Sequence, residues 1–145
     1  MNIVSSDGAG APTRWLVVFT TKSDRWWIRL IPGRFKHVRV FGYCHETDCW
    51  IFYDPCLRTG ILTARGAGAK QLMLQWTRDA KVLSMEPGPH ERVRLLPFAC
   101  TTAIASLLGL PGGALRPDAL YRQCLANGAE MLDEGSKPTA SCNAA

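Results

Sequence analysis

Alternation is the clearest signal along the chain. In Arg34-Phe35-Lys36-His37-Val38-Arg39-Val40-Phe41 a strand would put His37, Arg39 and Phe41 on one face, with Val38, Val40 and Gly42 on the other. Residues 15–20, a β-branched and aromatic run, read as an earlier strand. Between the two, Ser23-Asp24 offers a cap for a short helix over residues 25–31, stopped by Pro32-Gly33. His45-Glu46-Thr47-Asp48 reads as a hairpin turn, with a return strand over residues 49–54 ended by Pro55. Residues 61–64 suit a further short strand, residues 65–69 a flexible glycine-rich link, and residues 71–76 fit strand or helix equally. Residues 81–86 read as a strand broken by Pro87-Gly88-Pro89, and residues 92–95 as one more. After Pro97 an apolar helix begins at Cys100 and ends at Gly109; a second helix begins at Pro117 and ends at Asn127-Gly128.

The order of these elements predicts an α+β fold, an antiparallel sheet with helices packed on one side. A single domain over residues 14–132 is expected, with residues 1–13 and 133–145 as flexible tails because both are small and polar. A chain of 145 residues buries a real core without needing disulfides or a metal. The net charge of +5 is scattered rather than gathered in a basic block, and no nucleic-acid motif accompanies it, so a nucleic-acid partner is not expected. The first residues lack a basic region followed by an apolar core, and no stretch is apolar enough to span a membrane. Cytoplasmic synthesis, with thiols kept reduced, is the expectation for the six cysteines. Cys44, His45, Cys49 and Cys56 crowd one hairpin, but their spacing lacks a CxxC knuckle, and neither zinc nor another cofactor is expected. Five tryptophans suit a core, although the adjacent Trp26 and Trp27 cannot share one helix face.

Cys100 carries the chemistry. A thiol in the first turn of a helix meets unpaired backbone N–H groups and the positive end of the helix dipole, which stabilise a thiolate. His37 is the candidate base. Asp54, closing the strand that pairs with the His37 strand, is the candidate for orienting the imidazole, with Tyr53, on the other strand face, as the alternative.

The order His37, Asp54, Cys100 resembles the permuted papain-like (NlpC/P60-related) proteins, in which the histidine strand comes first and the cysteine helix last. The resemblance is closest to small phage and prophage proteins. It rests on Arg25-Trp26-Trp27-Ile28-Arg29, Gly33-Arg34-Phe35-Lys36-His37-Val38, Trp50-Ile51-Phe52-Tyr53-Asp54-Pro55, Cys100 with Leu108-Gly109, and Arg116-Pro117-Asp118-Ala119-Leu120-Tyr121, across residues 14–127. It implies a thiol peptidase, amidase or acyltransferase acting on a peptide, isopeptide or peptidoglycan cross-link. The alternative it leaves open is a non-catalytic phage structural or host-interaction module, virion-associated or acting on a host protein. The chain departs from the papain pattern in lacking a glutamine over residues 93–99; the Cys100 N–H or Tyr43 stands as the candidate oxyanion donor.

Overall fold

In the computed structural model, residues 11–23, 26–30, 32–55, 60–88, 100–111 and 114–133 are described. Among the described residues six strands form one antiparallel sheet: β1 (Trp15–Thr20), β2 (His37–Cys44), β3 (Cys49–Tyr53), β4 (Ile61–Ala64), β5 (Ala80–Met85) and β6 (Glu130–Leu132), in the spatial order β4-β3-β2-β1-β5-β6. The helices are α1 (Gly66–Thr77), α2 (Cys100–Leu107) and α3 (Pro117–Ala126). The architecture is α+β, as the element order predicts.

Strand alternation divides the core in two. Val17 and Phe19 of β1, Val38 and Val40 of β2, and Leu83 and Met85 of β5 face α2 and α3, where Ile104, Leu108, Leu120 and Cys124 close over them. The opposite parity sends Val18, Phe41, Phe52 and Val82 to α1, against Ala69, Met73 and Trp76. Each fully buried large apolar side chain contributes about 1.5–3 kcal/mol, so both faces are true cores. The helices therefore cover both faces of the sheet, correcting the one-sided packing expected from the sequence. That expectation failed because residues 65–69, read as a flexible link, form the cap position and first turn of α1. Arg65 makes no side-chain cap hydrogen bond there, and the buried stripe of Ala69, Met73 and Trp76 holds the helix by packing instead.

Residues 26–30 also differ from the expected helix. Only a 3₁₀ turn, Ile28–Leu30, forms, with Ile28 buried while Trp26 (72% exposed), Trp27 (47%) and Leu30 (74%) stand in solvent. Neither adjacent tryptophan belongs to the core. Trp15 and Trp76 are buried as expected, and Trp50 is half-buried. Pro12, assigned by sequence to the tail, is buried, and a Cβ on Gly42 would strike its side chain. The strand expected at residues 92–95 lies outside the described residues, as do Cys56, His90 and Cys142.

Two tight contacts lock the α2–α3 layer. Gly109 ends α2 at φ +62°, and the Leu110 N–H donates to the Ala105 carbonyl. There the backbone presses on Gly88, whose N–H donates to the Leu108 carbonyl at 2.7 Å; a Cβ on Gly109 would sit 2.1 Å from the Gly88 carbonyl oxygen. The second contact is Asp118, in the first turn of α3. Its carboxylate accepts from the backbone N–H groups of Arg34 (3.1 Å) and Phe35 (3.2 Å). Gly33, at φ +122°, leaves room for that carboxylate.

Candidate active site

The β2–β3 register builds the site. Cys44 pairs with Cys49 across the turn of residues 45–48, and the ladder runs back to Val40 opposite Tyr53. One step beyond, Asp54 falls opposite Arg39 and diagonal to His37, on the face that Phe41 and Phe52 share with α1. The Asp54 N–H donates to the Gly60 carbonyl at 2.8 Å, fixing the backbone there. His37 Nε2 and Asp54 Oδ1 are 3.0 Å apart, with their side chains 14% and 6% exposed. Asp54 Oδ2 lies 3.9 Å from Arg39 Nη1. The Arg39 guanidinium in turn stands over the Trp76 ring, 4.7 Å from its centroid. A carboxylate this buried is costly unless paired, and the imidazole and guanidinium supply that pairing.

With Asp54 as acceptor, the imidazole proton is held on Nε2, and Nδ1 becomes the nitrogen with base character. Arg39 was missed as part of this cluster. The signal for it was present, since strand alternation already put Arg39 on the His37 face.

Cys100 is the first residue of α2, as the sequence predicts; its side chain lies outside the described residues. α2 packs on β2 from the other face, with Ile104 in the cluster that contains Val38 and Val40. Its C-terminal end is fixed at Gly88, three residues past β5, beyond the Trp15–Met85 end of the sheet. His37 is the first residue of β2, at the opposite end of the strand from Cys44. The structure thus brings His37 and Asp54 together and puts α2 on the other face of the strand that carries His37.

The two accessory candidates fall away from the pair. Tyr43 lies six residues along β2 from His37, about 20 Å at the rise of a strand. Its hydroxyl donates to Asp48 in the hairpin turn. It cannot act as an oxyanion donor beside His37. Tyr53 pairs with Val40 and packs against the α2–α3 core, on the face away from Asp54, so it does not orient His37.

Cys44 and Cys49 are both buried and not disulfide-linked. Among the described residues no three His, Cys, Asp or Glu side chains converge as a metal site. No helix among them is long and apolar enough to cross a membrane. No family model matches the chain, and no similar protein was found among curated proteins or solved structures.

Proposed function

We propose that the chain is a cysteine-dependent hydrolase or acyltransferase of permuted papain-like type, acting on the amide or ester bond of a peptide, isopeptide or peptidoglycan-like substrate. The observation that supports this reading is the His37 Nε2–Asp54 Oδ1 contact of 3.0 Å, a buried carboxylate holding an imidazole in one tautomer. In the proposed reaction His37 Nδ1 takes the Cys100 proton, and the thiolate attacks the carbonyl carbon. The imidazolium then returns its proton to the leaving amine or alcohol. Water, or an acceptor amine, resolves the thioester with His37 again as base. Backbone N–H groups in the first turn of α2 would face the oxyanion. Because His37 and α2 occupy opposite faces of β2, the thiol and imidazole would meet past the end of the strand rather than across a face.

The test is site-resolved alkylation of Cys100 by iodoacetamide between pH 5 and 9, in wild type and in His37→Ala. The reading expects early alkylation at neutral pH that slows at least tenfold in the variant, with circular dichroism showing equal folding. Equal rates in the two proteins would overturn it.

A second reading is favoured by that same placement of α2. Asp54 is shared by His37 and Arg39 on the α1 face, an arrangement that also serves as a buried structural ion cluster in a non-catalytic phage or host-interaction module. It expects His37→Ala to lower stability and leave Cys100 alkylation unchanged.

A further inference from the structure

The β2–β3 hairpin ends in two cysteines that the proposed chemistry does not use. Cys44 and Cys49 are direct cross-strand partners, so their side chains leave the sheet on the same face. Opposed residues of an antiparallel pair have Cα atoms about 4.5–5.5 Å apart, inside the 4.4–6.8 Å span that a disulfide bridges. The Thr47 hydroxyl lies 3.0 Å from the Cys49 sulfur. The same Thr47 also hydrogen-bonds the Cys44 thiol, so both sulfurs converge on one turn residue. Cys44 is 1% and Cys49 7% exposed, and the turn that joins them, residues 45–48, stands in solvent. Arg65 clips that turn from α1, donating to the carbonyls of Thr47 and Asp48.

We propose that Cys44 and Cys49 form a dithiol site that reacts with low-molecular-weight disulfides and closes into an intrachain disulfide across the hairpin. One thiolate attacks a sulfur of the small disulfide, forming a mixed disulfide and releasing one small thiolate. The partner thiolate then attacks the protein sulfur of the mixed disulfide, forming the Cys44–Cys49 bond and releasing the second small thiolate. The two protein thiols are oxidised, the small disulfide is reduced to two thiols, and the two protons go with them. Cys44 is the better first nucleophile, because hydrogen bonds from Thr47 lower its pKa from the ordinary thiol value.

The experiment treats the folded full chain with oxidised glutathione at pH 8, quenches remaining thiols with iodoacetamide and digests it with a protease that cuts before aspartate. Cuts before Asp48 and Asp54 place Cys44, Cys49 and Cys56 on three separate peptides. The expected result is a linked Cys44–Cys49 peptide pair in which neither peptide retains glutathione. In Cys49→Ala a glutathione adduct should accumulate on Cys44. Recovery of Cys44 and Cys49 in the wild type as alkylated thiols, or joined to other cysteines, would overturn the proposal. The wild-type peptide map decides the outcome even if a variant fails to fold.

Discussion

The two faces of the sheet are built from the same strands and differ in kind. Toward α2 and α3 the packing is mostly apolar, with Val17, Phe19, Val38, Val40 and Leu83 under Ile104, Leu108 and Leu120, although α2 also buries Thr101 and Thr102. Phe19, Phe35 and Tyr121 close it with ring contacts of 4.9–5.3 Å. Toward α1 the core is an aromatic stack of Phe41, Phe52 and Trp76 that ends in charge, where Arg39 lies on Trp76 and shares Asp54 with His37. Strand β2 serves both, one parity giving valines and the other His37, Arg39 and Phe41. The difference teaches that the ionisable groups His37, Arg39 and Asp54 are accommodated at the end of one core, where they partner one another.

The strongest way to break the comparison is at Gly109. Replacing it with Ala puts a Cβ against the Gly88 carbonyl at a positive φ, so it should cost about 3 kcal/mol or more and loosen the α2–α3 face first. Urea denaturation measures the loss, and hydrogen exchange should show it in α2 before α1. Asp54→Ala should cost somewhat less, about 2–3 kcal/mol, because it leaves His37 and Arg39 part-buried without their carboxylate. Asp54→Asn should retain more of the stability, and a denaturation series on both variants checks the order.

Cys124 sharpens the comparison through pH. Fully buried under the α2–α3 core, its thiol is pushed up to about 12 from 9.0 by desolvation. The unfolded chain releases this proton near pH 9 and the folded chain holds it, so stability is intact below pH 9 and declines between pH 9 and 12. At pH 10 the loss from this group is about 1 kcal/mol, visible as a steeper fall in Tm for wild type than for Cys124→Ala. The smallest effect is expected outside both cores. Trp26→Ala should change stability by less than about 0.5 kcal/mol, since the indole is 72% exposed. A larger loss in thermal melts would show that the turn is buttressed by this ring.

How far the chain could be read in advance follows from what each element depends on. The His37–Asp54 pair was legible because a short hairpin fixes register by counting, and alternation then fixes the face. α1 was not, because Gly66 and Gly68 read as a loop, and the helix that starts there is held by the packing of Ala69, Met73 and Trp76 further along it. β6 was missed because three residues paired to the edge of β5 carry too little pattern to be seen. The Asp118 clasp on residues 34–35 was visible only as an acidic residue in a helix's first turn, with nothing in the sequence to name the backbone it binds. The side on which α2 packs is a long-range choice that local pattern does not encode.

The position of β1 in the middle of the sheet has a consequence for synthesis. Its partner β5 lies far along the chain, with Thr20 opposite Ala80 and Trp15 opposite Met85. A ribosome that has completed β4 has supplied β2 and β3 but not the strand that closes the other edge of β1, nor the helices that cover Val17, Phe19, Val38 and Val40. Making the stretch from β4 to the end of α3 takes roughly 3–12 s at ordinary elongation rates. For that interval the nascent chain presents an open strand edge beside an uncovered apolar face, the form of substrate that holding chaperones bind. Its dependence on them during translation should exceed that of the finished domain.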